Sequence, residues 1–326
     1  RRNISKSENN LEYVIKVMMF ELLPVCYLEG FLSLNKLVKQ KPWPQSPRFI
    51  FTSNNFDTDE VFKLWTATKV ELGCKNFVGQ HGNNYGTHRY MYPAIEEATA
   101  DKFLTWGWTD GLAQHMPAFI FKTIGKKAGN YNPGGGLLLI ELHLNHRITT
   151  WDGTAEFADY FHDQQLFVSK LAIAPKKNLT IRLHSAHKYM NWNEEARWKA
   201  FDPSVKIGSS DGAISDLISN NRLVVHSYDS TGILETLSQN IPTLAFWQNG
   251  FDHLRDSAKP HFQLLVDAGI IHLTVESVAQ KVNKVWEDVD GWWWQSDVQN
   301  ARKQFCEQYA RQTQNPIHDL LHILSR

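Results

Sequence analysis

Cysteine is scarce in this chain: three in 326 residues, at positions 26, 74 and 306, with no C-x-x-C spacing. A disulfide framework and a thiolate zinc site are thereby disfavoured, and reduced buried thiols are the simplest reading. Long apolar runs are missing too. Residues 14–23 are interrupted by Lys16 and Glu21 and followed by Pro24, well short of the roughly 18 residues that span a bilayer, and no secretory leader pattern is present. Charge of one sign is not in excess, since 34 Lys and Arg balance 34 Asp and Glu. That removes the basic face a general nucleic-acid binder needs, so no nucleic-acid partner is expected. The sequence also has no G-x-G-x-x-G after its first strand, no G-x-x-x-x-G-K-[ST] and no H-E-x-x-H. Dehydrogenase, P-loop and zincin chemistries lose their usual signatures.

What is present alternates. Strand patterns at 48–53, 76–78 and 101–108 precede a turn-forming run, KKAGNYNPGGG, at 126–136. After it come strands at 137–144, 179–183, 205–207, 223–226 and 243–247, separated by helical stretches at 154–171, 211–219 and 233–239. Helices at 258–268, 276–288 and 294–312 complete the chain. A length of 326 residues favours two domains, and the glycine-rich run is the best boundary. The expectation is an α/β chain of two Rossmann-like parallel-sheet domains, 1–130 and 137–326, facing a cleft. The first helical segment, 11–40, has no partner strand and the chain starts at Arg1 without methionine, so the N-terminal domain is expected to be incomplete. The Trp292-Trp293-Trp294 run is read as packing across the domain junction.

Asp57-Thr58-Asp59 resembles a metal–nucleotide D-x-D, but Asp57 with Glu60 three residues on also makes a capping box, and no metal is expected there. The loop at 80–86, QHGNNYG, brings Gln80, His81, Gly82, Asn83 and Tyr85 to the end of a strand. Its glycines allow close backbone approach and its side chains supply donors and acceptors. Three further polar clusters follow strands of the second half, where open α/β sheets bind ligands: Asn145, His146, Arg147 and Asp152; Arg182, His184, Ser185 and His187; and the Asp229-Ser230-Thr231 turn, with Glu235 in the helix beyond. Cations and N–H donors suit a phosphate leaving group, and a carboxylate suits a sugar cation. Each residue has a plainer reading. Ser230 or Thr231 could simply cap the helix, Asp152 another helix, and Glu235 could complement the helix dipole.

Four stretches together resemble a known family: QHGNNYG (80–86), FLTWGW (103–108), IELHLNHRITTWD (140–152) and YDSTGILETLSQNIPTLAFW (228–247). They are similar to GT-B bacterial surface-polysaccharide glycosyltransferases related to the retaining β-Kdo enzymes, which use CMP-Kdo. There is also a parallel with bacterial sialyltransferases, whose His-Pro and Ser-Ser/Thr motifs hold the CMP phosphate. The counterparts are His184-Ser185, with serine in place of proline, and Ser230-Thr231.

The resemblance implies metal-independent transfer of Kdo or a related acidic sugar from a CMP donor, with no cofactor, to a glycan or glycolipid acceptor. It implies a carboxylate nucleophile near the start of the second domain, Asp152 by position and Asp163 as the fallback. Ser230, Thr231, His184, Ser185, Arg147 and Arg182 would face the donor, and Glu235 its nucleoside. Gln80, Gly82, Asn83 and Tyr85 would face the acceptor, with His81 as acid/base or sugar-carboxylate contact. The expected setting is cytoplasmic, with peripheral contact at the inner face of the membrane. Two alternatives stay open: a GT-B enzyme using a UDP-sugar, whether transferase or epimerase, and a non-catalytic carbohydrate- or nucleotide-binding protein of the same fold.

Overall fold

The structure is a computed structural model that describes residues 10–92, 94–142, 157–190, 193–208 and 212–325. The chain falls into two compact units, one of Arg1–Gly79 with Glu96–Phe103 and the other of Gln80–Ile95 with Leu104–Arg326. The glycine-rich 126–136 run lies between the last strand of one sheet and the first of the next, while the compact units divide elsewhere.

The smaller sheet has strands β1 (Phe49–Thr52), β2 (Lys75–Gly79), β3 (Lys102–Thr105) and β4 (His115–Pro117), in spatial order 1-2-3-4 with β1 and β2 parallel. Beside β1, Ile50, Trp65 and Cys74 form a small core covered by Val38, Trp43 and Phe62. The helix leading into that core begins two residues later than the capping-box reading expects. Residues Asn55–Thr58 make their own short turn of helix, which places Asp57 inside it. Asp59 then takes the cap position of Glu60–Glu71 and accepts from Phe62 N–H at 2.9 Å.

The larger sheet has β5 (Gly136–Ile140), β6 (Leu179–Arg182), β7 (Lys206–Ile207), β8 (Asn221–His226), β9 (Thr243–Phe246) and β10 (Ile271–His272). Their order is β10-β9-β8-β5-β6-β7, and every neighbouring pair is parallel. Leu137, Leu138 and Leu139 of β5 and Leu223, Val224 and Val225 of β8 have no exposed surface. Such unbroken apolar strands are what a sheet covered on both faces requires. The chain runs outward from β5 to β7, then returns to lay β8 on the other side of β5. The reversal makes the β5/β8 edge a topological switch point, where the carboxyl ends of open α/β sheets take ligands. Register keeps that edge level, because Ile140 pairs with Arg182 on one side and His226 on the other.

The helix following β8, Thr231–Ser238, buries Ile233, Leu234 and Leu237. At its far end the buried Arg302 donates to Leu237 O at 2.9 Å, a cation at the negative end of the helix dipole. Trp292 and Trp293 are buried and Trp294 is half exposed. Trp293 donates its indole N–H to Asn240 Oδ1 at 3.0 Å, within the larger unit.

Candidate functional site

The site is assembled at the end of β8 from the turn 227–231 and the loop 80–92, both parts of the larger unit. The loop is held by Gln80, which is 1% exposed. Its carbonyl oxygen accepts from Trp106 N–H at 2.9 Å and from the Trp108 indole at 2.8 Å, while its amide donates to Gly82 O at 2.7 Å. All of that side chain's strong geometry is spent on the scaffold. Gly86 has φ of +72°, and a Cβ there would lie 2.4 Å from the Trp108 ring, so only glycine lets the loop lie against the indole. Tyr85 is buried, with its hydroxyl 3.2 Å from Nδ1 of the half-buried His81.

From this base Asn83 reaches the turn at Thr231 and at Asp229. Its backbone N–H donates to Thr231 Oγ1 at 3.2 Å, and its side-chain amide donates to Asp229 Oδ1 at 3.0 Å. The other carboxylate oxygen, Oδ2, lies 3.0 Å from His88 Nε2 and 3.1 Å from His253 Nε2. Burial alone would raise the Asp229 carboxyl, but the hydrogen bonds from His253 and His88 and their charge outweigh it and hold it well below the carboxylate range.

Below the turn sits His226, the last residue of β8 and 1% exposed. Its Nε2 lies 3.3 Å from Thr236 Oγ1 and its Nδ1 3.5 Å from Ser230 Oγ. Burial holds its imidazole down to about 3, so it is neutral at physiological pH and serves as a platform. Gly232 rests on it; a Cβ there would come 2.8 Å from Cε1.

Ser230 occupies the N-cap position of Thr231–Ser238 but makes no side-chain cap hydrogen bond, and the first turn holds no acidic residue. Without those two neutralising devices, the positive end of the helix dipole is left for an anion.

The same edge carries groups that sequence reasoning passed over. Glu141, just past β5, is fully buried; Oε2 accepts from the Trp198 indole at 3.2 Å, and Oε1 has no hydrogen-bond partner among the described residues. Burial, with Glu194 close by, pushes this carboxyl up to about 8. Tyr160 receives Leu142 N–H at 2.7 Å and lies 2.6 Å from Ser227 Oγ, and that serine in turn donates to Ile140 O at 3.0 Å. A lone Glu at a strand end and histidines scattered at 88, 226 and 253 leave no mark in sequence spacing.

The remaining expected residues lie apart. His184 and Ser185 are exposed beyond β6, with β5 between them and the 229–231 turn, roughly 10 Å at normal strand spacing. Partial desolvation of the ring and the charge of Arg182 hold the His184 imidazole down. Arg182 donates from Nη1 to Leu183 O, and its charge reaches the Tyr228 phenol. Glu235 accepts from Lys126 Nζ at 3.2 Å. Asp163 lies in the helix Phe157–Lys170 and accepts from Gln248 Nε2 at 2.5 Å; burial raises its carboxyl. Asp152 and Arg147, with Asn145 and His146, lie outside the described residues.

Comparisons with known proteins bear on the family and the fold. The model of the LIC12162 family transferases matches residues 1–324. No curated protein matches the chain. Among solved structures, Anabaena HepE in complex with UDP-glucose superposes with a TM-score of 0.53 at 11% identity, covering 96% of this chain and 89% of that one. The S. aureus MnaA–UDP structure (0.46, 12% identity, 99% and 85% coverage) and the spinosyn rhamnosyltransferase SpnG with thymidine diphosphate (0.44, 12%, 92% and 76%) are more distant. With a family match over nearly its whole length and two α/β sheets of the architecture set out above, the chain belongs to the LIC12162 transferase family and has the GT-B fold.

Proposed function

We propose that the protein is a glycosyltransferase that takes a Kdo-like acidic sugar from a CMP-activated donor and passes it to a glycan or glycolipid acceptor. The observation that carries this reading is the uncapped, acid-free start of the Thr231–Ser238 helix at the switch point of the parallel sheet. A phosphate there would take the backbone N–H groups of the first turn and the hydroxyls of Ser230 and Thr231. Stabilising the charge that develops on the departing nucleotide in this way needs no metal on the phosphate. His184, Ser185, Arg147 and Arg182 are the further donor-side groups in this reading, and Glu235 the nucleoside contact.

The chemistry is a double displacement. Asp152 attacks the anomeric carbon while the bond to the CMP oxygen breaks, and the electron pair leaves with the phosphate. The acceptor hydroxyl then displaces the carboxylate, giving its proton to a base for which His81 is the candidate, and net configuration is retained. Gly82, Asn83 and Tyr85 would line the acceptor side. Among the described residues no helix is long and apolar enough to cross a membrane. Contact with a glycolipid would therefore be peripheral, at the inner face of the cytoplasmic membrane, and the Asn10–Leu22 helix offers exposed Leu11, Ile15, Met18, Met19 and Leu22 for it.

HepE was solved with UDP-glucose, which favours a second reading with a UDP-sugar donor. Thermal-shift titration with CMP, UDP and GDP separates the two, since a ligand at 100 times its Kd stabilises by about 2.7 kcal/mol. Stabilisation by CMP alone, lost in Ser230→Ala/Thr231→Val, supports the proposal. Stabilisation by UDP alone would replace it. A covalent sugar adduct in the intact mass after incubation with CMP-Kdo, absent in Asp152→Asn, tests the nucleophile.

A further inference from the structure

Asp229 is a buried carboxylate, 3% exposed, whose only ion-pair neighbours among the described residues are His88 and His253. A ring nitrogen of His88, a ring nitrogen of His253 and a carboxylate oxygen of Asp229 all lie within 4.8 Å of one another. Two edges of this triangle are 3.0 and 3.1 Å, against about 3.3 Å between the corners of a tetrahedron with metal–nitrogen bonds of about 2.0–2.1 Å. An opening of a few tenths of an ångström would bring these two edges to that spacing.

The surroundings are built as those of a metal site are. Ligating histidines are oriented by a partner on the second ring nitrogen, and ligating carboxylates by a donor on the free oxygen. His88 Nδ1 lies 2.9 Å from the Tyr90 hydroxyl, and Asp229 Oδ1 receives the Asn83 amide. The backbones that carry the two histidines are tied to each other independently. Arg89 N–H donates to His253 O at 3.0 Å and Arg255 N–H to Thr87 O at 2.8 Å, around an antiparallel bridge between His88 and Leu254.

We propose that His88, Asp229 and His253 bind one divalent transition-metal ion, with zinc the preferred species because two imidazoles and a carboxylate are a borderline N/O donor set. The ion clips three segments that are remote in sequence, 80–92, 227–231 and 248–255, and so fixes the turn carrying Ser230 and Thr231. It is separate from the transfer chemistry, which is proposed to run without a metal on the phosphate.

The test uses the full chain, stripped with EDTA, exchanged into metal-free buffer and titrated with Zn2+ or Co2+. Expected are about one ion bound per chain, ligand-field absorption bands with Co2+, and a melting temperature that rises on metal addition. His88→Gln and His253→Gln, each checked for native circular dichroism, should both lose the stoichiometric ion and the metal-dependent rise. A folded wild-type chain that takes up no ion at micromolar free Zn2+, or a folded His253→Gln chain with unchanged stoichiometry, overturns the proposal. Nucleotide binding is a separate measurement, so either result leaves the donor reading to be judged on its own.

Discussion

The side-chain amide of Asn83 donates to Oδ1 of Asp229 at 3.0 Å, joining residues 146 positions apart. Together with the bond from Asn83 N–H to Thr231 Oγ1, it makes the position of the 229–231 turn depend on a loop from the first third of the chain. Asn83→Leu should cost about 2 kcal/mol, the usual penalty for stranding a buried charged acceptor. Urea denaturation would show this as a lower midpoint with unchanged slope. Nucleotide affinity, read by calorimetry, should fall as well.

Asp229 also predicts an acid limit. Its folded-state carboxyl is held below the ordinary range by His253 and His88 despite burial. A depressed carboxyl contributes stability that is present above the unfolded value of about 3.9 and is lost as pH falls below it. Melting temperatures should show no loss from this carboxyl between pH 7 and about pH 5, then fall as pH drops below about 4, more steeply for the wild type than for Asp229→Asn, measured without added metal.

Glu141 predicts the opposite slope. Its folded carboxyl sits at about 8 because burial disfavours the ionised form. The folded state therefore holds a proton that the unfolded state releases near pH 4.3, so the associated stability is present below that pH and is lost as pH rises through about 8. At about 1.36 kcal/mol per pKa unit the effect is on the order of a few kcal/mol. Glu141→Gln should flatten denaturation midpoints between pH 5 and 8.5; an unchanged slope would mean the carboxyl is already ionised at pH 7.

Gly232→Ala would drive a methyl to 2.8 Å from Cε1 of His226, a ring buried too deeply to move aside. Overpacking of this kind costs about 1–3 kcal/mol. Nucleotide affinity should weaken, and the double variant with His226→Ala should recover part of the loss because the space below the turn is opened.

Gln80 is the last test. Gln80→Ala removes the acceptor for two buried donors, Trp106 N–H and the Trp108 indole, at about 1–3 kcal/mol each. Gln80→Glu keeps that acceptor but sets a carboxylate oxygen against Gly82 O in a buried site, so it too should destabilise the fold, whereas a residue that only contacted acceptor would leave stability unchanged in both. The comparison separates a scaffold residue from one that binds acceptor directly.

Much of the second sheet could be read from sequence because its strands are unbroken apolar runs such as LLLI and LVVH, and because helices fill the intervals. The strands β4 and β10, three and two residues long, carry too little pattern to see. The Ser230–Thr231 turn was legible as strand, hydroxyl turn, helix. His88 and His253 were not, because only tertiary pairing of residues 87–89 with 253–255 brings them to Asp229. Gln80 looked like a ligand contact for the opposite reason: a polar side chain in a glycine-rich loop gives no hint that two tryptophan segments already claim its carbonyl.

The grouping of residues 80–95 with the larger sheet bears on how the protein can be dissected. A fragment starting at Gly136 would carry all six strands of the parallel sheet, yet it would leave Asp229 without Asn83 and His88. Cutting once at the glycine-rich run therefore separates the sheets but not the functional halves. A nucleotide-binding fragment would have to retain the 80–95 segment, supplied in trans as a peptide or grafted as a new N-terminus, and recovery of binding on adding it back would be a direct readout of complementation.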